Sequence, residues 1–213
     1  MRFWLFLLFL PTVVGTAGAQ VGLTGFHNFN DANTTIGDQS SDLGYENGQD
    51  LALNYWFRLP KKRVEFLPTV YGSTTRGEVK WSEFGFQFRT NVYPFDFGTD
   101  CDCPTFGKQG PQLQKGLFLQ LSPGVAYHRL GEDGNREALD KVAFTLGGGI
   151  GIDFGVSNLL TLTPILAVRH TLTDFADVNA ANDDQTGLVE SRARLTTLQL
   201  GLQATFRFDK KRY

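Results

Sequence analysis

Cysteine occurs twice in the 213 residues, and both copies fall in one stretch, Cys101-Asp102-Cys103-Pro104. Two thiols one residue apart can close a small disulfide, hold a metal or join a second chain. Zinc wants about four ligands, and only Asp100 and Asp102 stand beside these thiols. A disulfide between Cys101 and Cys103 is therefore the expectation. His27, His128 and His170 are the next candidates, since a hydrolase needs a base clustered with a nucleophile and a carboxylate. Ser122 and His128 would share one face of an extended segment, but they stand about 20 Å apart along it. They cannot hydrogen-bond directly, so no catalytic residue is assigned.

Two further motifs fail on inspection. In Gly147-Gly148-Gly149-Ile150-Gly151 the dinucleotide spacing breaks, because Ile152 stands where the third glycine belongs, and no basic residue follows as in a phosphate loop. Residues 177–184 begin like a calcium loop, but Ala181 takes its fifth position, the sixth lacks glycine, and Leu188 replaces the bidentate Glu. No metal and no cofactor is expected.

The ends of the chain say where it goes. Arg2 is a short basic region, residues 3–14 are apolar apart from Pro11 and Thr12, and Ala17-Gly18-Ala19 is a small-x-small cleavage site before Gln20. Residues 1–19 thus read as a secretory signal peptide cut between Ala19 and Gln20, and residues 20–213 as one domain. Export implies an oxidising compartment, which is what a disulfide needs. Cleavage removes one of the 20 basic residues and none of the 22 acidic ones. An acidic balance argues against a nucleic-acid partner. No later apolar run is long enough for a helical membrane span.

The elements that must carry these residues are strands. Residues 197–208 place Leu198, Leu200, Leu202, Ala204, Phe206 and Phe208 on one face, opposite Thr197, Gln199, Gly201, Gln203, Thr205 and Arg207. The strand is about twice the ordinary globular length, and a tilted strand needs roughly 9–11 residues to cross a bilayer. The same alternation recurs at 20–29, 51–59, 64–71, 83–92, 117–128, 142–154 and 160–169. The expected fold is an all-β, eight-stranded antiparallel up-and-down transmembrane β-barrel. Its second face is mostly Gly, Ala, Thr, Ser and Gln, a set that fits a narrow filled lumen. A water-soluble barrel would carry charge outside and apolar residues inside.

Loop lengths orient such a barrel, because short turns face the periplasm and long loops face outward. Segments 60–63 and 155–159 are short. Segments 30–50, 131–141 and 171–193 are long, polar and acidic. Segment 93–116 is long yet falls by parity on the short-turn side. The turn at 60–63 opposes Leu59 to Val64 and hence Arg58 to Glu65, both on the lumen face. Arg58 and Glu65 are expected to form an ion pair, with Asp153 and Arg207 at a similar depth extending the network.

The signal peptide, the eight amphipathic strands and the aromatic-rich last strand resemble the small outer-membrane β-barrels of Gram-negative bacteria, the OmpA/OmpX-like superfamily. The style is similar to the Bacteroidetes-type outer membrane protein beta-barrel domain. That resemblance implies residence in the cell outer membrane, with its lipids and lipopolysaccharide as partners. It also implies the barrel-assembly machinery as a partner, reading an aromatic signal at Phe206, Phe208 or Tyr213. A monomer is expected, non-enzymatic, with a structural, adhesive or ligand-binding role through acidic external loops. The competing readings are an enzyme that modifies lipid A and a secreted soluble lipid-binding β-barrel.

Overall fold

The computed structural model describes residues 20–36, 39–42, 45–58, 64–75, 81–94, 116–130, 140–157, 159–175 and 191–207. Its strands are β1 (Gln20–Ile36), β2 (Gln39–Asp42), β3 (Gly48–Arg58), β4 (Val64–Thr75) and β5 (Trp81–Val92). They continue as β6 (Leu117–Leu130), β7 (Asp140–Ile152), β8 (Phe154–Gly155), β9 (Leu160–Thr171) and β10 (Ser191–Arg207). Eight of them are long, and each pairs antiparallel with its neighbours in chain order. The sheet closes on itself through β1 and β10, from Gln20 opposite Arg207 to Ile36 opposite Ser191. Closure leaves no unpaired edge. The chain is therefore a closed eight-stranded antiparallel β-barrel, with β2 folding back to pair antiparallel with the end of β1 and β8 continuing β7.

Alternate residues face in and out along every long strand, and the outer set is the apolar one. Leu51 is 61% exposed, Phe84 64% and Phe144 61%, while Ala52, Gly85 and Ala143 beside them are buried. Leu23, Val70, Leu121, Ile150, Leu166 and Leu200 continue this belt around the barrel. A 12-residue strand is about 40 Å long, and tilted near 45° it rises through roughly 28 Å, the height of a bilayer core.

Glycine on the inner face makes room for aromatic rings. A Cβ on Gly85 would lie 2.5 Å from the Tyr71 ring, and on Gly151 and Gly201 it would lie 2.2 Å from Phe118 and Phe26. In each case the ring belongs to the residue directly opposite in the register. Prolines on the outer face interrupt the ladders. Pairing of the β7–β8 run with β9 lapses between Gly151–Ile165 and Phe154–Leu162, where Pro164 has no N–H to donate. That lapse separates β8 from β7.

The strands outrun their sequence pattern at one end. Residues 20–29 become Gln20–Ile36 and residues 197–208 become Ser191–Arg207, so parts of the expected loops 30–50 and 171–193 are paired strand. The segment 64–71 likewise lengthens, since β4 runs to Thr75. Beyond Phe29 the outer face turns polar at Asp31 and the alternation fades, yet the β1–β10 ladder continues, and the N–H groups of Ala193 and Leu195 donate to Asp174 Oδ1 and Thr171 Oγ1.

Candidate functional site

The inward side chains meet across the barrel axis in three layers. The proximal end is that of Gln20, Arg58 and Arg207; the distal end is that of Thr75, Trp81 and Thr171.

The distal layer is sealed by aromatic rings. Tyr45, just before β3, stacks on Trp81 of β5 with centroids 5.2 Å apart, and Phe175, just after β9, lies 5.6 Å from both. His128 of β6 packs 5.2 Å from Phe175. It is fully buried, and neither ring nitrogen has a hydrogen-bond partner. Phe175 is held there by its N–H donating to the Ala193 carbonyl at 3.2 Å.

Below this seal lies a charge knot. Arg169 of β9 reaches Asp50 of β3 through Nη1 at 3.3 Å and Glu83 of β5 through Nη2 at 2.9 Å. Its guanidinium also sits 4.5 Å over the Tyr71 ring, while the Tyr71 hydroxyl donates to Glu83 Oε1 at 2.6 Å. Asp50 receives further hydrogen bonds from Gln199 Nε2 at 2.9 Å and from Asn28 Nδ2. One cation thus holds two carboxylates, with donors from β1, β4 and β10 filling the remaining lone pairs. That satisfaction is what makes buried charge tolerable.

The proximal layer inverts this arrangement. The Tyr93 hydroxyl, just past β5, lies 2.7 Å from Glu65 Oε2 and 2.7 Å from Asp153 Oδ2. Trp56 Nε1 donates to the same Glu65 oxygen at 2.8 Å, and Thr163 Oγ1 donates to Asp153 Oδ1. Tyr93 stacks 5.5 Å from Phe118. The long connection 93–116 therefore begins by pinning its first residue inside the barrel. Its last residue, Gly116, accepts from the Asp153 N–H at 3.0 Å.

The expected site residues fall as follows. Arg58 stands opposite Glu65 in the register, as the four-residue turn requires. The side chains of Arg58 and Arg207 lie outside the described residues, as do Ala19, Cys101, Cys103, Phe208 and Tyr213. Gln20 opens β1 and is buried, and Phe206 lies on the outer face. The three histidines do not gather. His27 faces outward beside Phe29, His170 contacts Thr196 Oγ1 at 2.9 Å, and only His128 is inside. Among the described residues, no group of His, Cys, Asp or Glu could hold a metal. The Arg169–Asp50–Glu83 knot is absent from the sequence-based set. Strand parity places Glu83 and Arg169 inside, Asp50 joins them because β3 begins at Gly48 within the segment expected as a loop, and only barrel closure shows that β3, β5 and β9 meet there.

Solved structures give likenesses of shape. Neisserial surface protein A is 12% identical over 88% of this chain and 96% of its own, with a TM-score of 0.47. The N-terminal β-barrel domain of Pseudomonas aeruginosa OprF is 11% identical, over 88% and 97%, with a TM-score of 0.45. Ail, the attachment invasion locus protein of Yersinia pestis, is 10% identical, over 90% and 100%, with a TM-score of 0.44. No family model matches the chain, and no curated protein matches it in sequence. The fold stands on the closed register itself.

Proposed function

We propose that this is an integral outer-membrane barrel, non-enzymatic and with a filled lumen, whose role is structural, adhesive or ligand-binding through its external loops. The observation that carries this reading is the inverted sidedness of the wall. Large apolar side chains face outward on all eight long strands, and polar or charged ones are buried inside. A water-soluble protein rarely exposes a contiguous apolar patch beyond a few hundred Å²; a bilayer is the solvent that fits such a belt.

Orientation follows from the connections. The proximal end carries the short turn after Phe154, where Val156 and Ser157 N–H groups donate to the Leu160 carbonyl at 3.0 and 3.1 Å. This end is assigned to the periplasm, and the acidic loops at the distal end to the exterior. Outer-membrane lipids, lipopolysaccharide and the barrel-assembly machinery are the proposed partners. The dispersal of the three histidines favours a non-enzymatic role over lipid modification.

Fractionation decides the first point. The protein should resist sarkosyl extraction and migrate on gels differently before and after heating. Recovery in the soluble fraction with a single mobility would overturn membrane residence. An altered lipid A profile upon deletion, restored by the wild-type gene, would overturn the non-enzymatic reading.

A further inference from the structure

The second buried arginine of the lumen is treated quite differently from Arg169. Arg89 of β5 is 2% exposed. Its Nε donates to Gln87 Oε1 at 3.1 Å, and its guanidinium carbon lies 5.1 Å over the Phe26 ring on the opposite wall. Neither contact supplies a full negative charge. Among the described residues no carboxylate pairs with it, because Asp50 and Glu83 are both bound to Arg169. Its Nη1 has no hydrogen-bond partner.

Two neighbours share that condition. The amide nitrogen of Gln87 and the hydroxyl of Thr145 on β7 are buried and without partners. The register aligns Gln87 with Gly124 of β6, and Gly124 with Thr145. Gln87 Cγ and Thr145 Oγ1 both lie within 3.0 Å of where a Cβ on Gly124 would stand. Because the Gln87 carbonyl is committed to Arg89, its NH₂ can only donate. One stretch of wall therefore presents a guanidinium N–H, an amide N–H and a hydroxyl free to turn its hydrogen inward, with one positive charge and no carboxylate paired to it. Buried donors around an unpaired cation call for a compact anion, which accepts from all of them and neutralises the charge.

We propose that the mid-lumen holds a small monovalent anion of the halide class, bound by Arg89, Gln87 and Thr145. It would tie β5 to β7 below the Arg169 knot. A ligand that binds only the folded state raises the unfolding midpoint as its concentration exceeds its dissociation constant. The test uses the full chain refolded in detergent, unfolded by urea in sodium chloride or in sodium gluconate at one ionic strength. The wild type should show a saturable rise in midpoint with chloride. Thr145→Val should need several-fold more chloride for the same rise, and Arg89→Met should show none. Crystals grown in bromide should give an anomalous peak beside Arg89 Nη1. A wild-type midpoint indifferent to chloride would overturn the proposal. So would a chloride response that survives in Arg89→Met, or bromide density lying elsewhere with water at the guanidinium. If Arg89→Met does not fold, Thr145→Val and the bromide peak carry the decision.

Discussion

Gln199 and Leu200 are adjacent on β10, yet Gln199 is 3% exposed and Leu200 57%. The difference runs along the whole wall. Inside, Gln199 donates to Asp50 and Asn28; outside, Leu200 has only its cross-strand neighbours His27 and Leu166 beside it, and more than half of its surface is open. Around the Arg169 knot and the Tyr93 hydroxyl the inner face is a set of polar groups that satisfy one another at fixed separations, whereas Arg89, Gln87 and Thr145 between them keep donors without partners. The outer face has no such obligations, and its only requirement is to be apolar. A substitution of the same kind should therefore have different consequences on the two faces, and the contrast can be tested.

The largest effect is expected at the inner knot. Arg169→Met removes the cation shared by Asp50 and Glu83 and leaves both carboxylates buried. Breaking a buried ion pair in this way costs about 3–5 kcal/mol, read as a fall in urea midpoint in detergent. A loss under roughly 1 kcal/mol would mean that hydrogen bonds from Tyr71, Gln199 and Asn28 suffice to hold the carboxylates.

Next comes a charge on the outer face. Leu200 lies near the middle of β10, so Leu200→Arg should cost about 2–4 kcal/mol at bilayer mid-depth. Its readout is the fraction assembled in the outer membrane. Full assembly would remove the case for lipid contact at that position.

Inner glycines rank third. Gly151→Ala would drive a methyl into the Phe118 ring, which lies 2.2 Å from the new Cβ position. Overpacking costs typically about 1–3 kcal/mol. A paired Phe118→Leu should recover part of that loss, since it removes the ring that is struck. Failure of the second change to recover stability would show that backbone, rather than the ring, resists the methyl.

The fold was legible in the sequence because the outer face obeys a single rule. Leu198, Leu200 and Leu202 alternate with Gln199, Gly201 and Gln203, and parity alone assigns both faces. Register was legible where a short turn fixes it, as at Arg58 opposite Glu65. The lumen layers were not. Arg169, Asp50 and Glu83 come from three strands far apart in sequence, and no local pattern says which strands face each other across a closed barrel. Tyr93 was hidden for a different reason: it belongs to a connection, where alternation has stopped. The distal extensions of β1 and β10 were missed because backbone pairing continues there after the apolar signal ends.

The proximal charges provide a smaller test. The side chains of Glu65 and Asp153 share the Tyr93 hydroxyl, and the register puts Arg58 beside Glu65. A double-mutant cycle on Arg58→Ala and Glu65→Ala should give a coupling of at least about 0.5 kcal/mol, the lower end for residues in contact. Additive effects would mean that Tyr93 and Trp56 alone hold the carboxylate.

The smallest effect is the sharpest contrast, because it repeats the glycine change on the other face. Gly25 points outward on β1, and a Cβ built there meets nothing within 4 Å. Together with Gly72 it flanks Leu51 in an open recess of about 620 Å³. No ring lies opposite to be struck, and no polar partner is displaced. Gly25→Ala therefore changes the unfolded chain more than the folded one, by narrowing the conformations open to it. Such a change stabilises by about 0.4–1 kcal/mol where the native backbone accepts a side chain. The methyl would add apolar surface to a belt that already favours it. Urea unfolding in detergent should show Gly25→Ala at or above the wild-type midpoint and Gly151→Ala below it. A fall at Gly25 comparable with that at Gly151 would mean that the recess is occupied in the folded protein, and that this part of the outer face has packing obligations of its own.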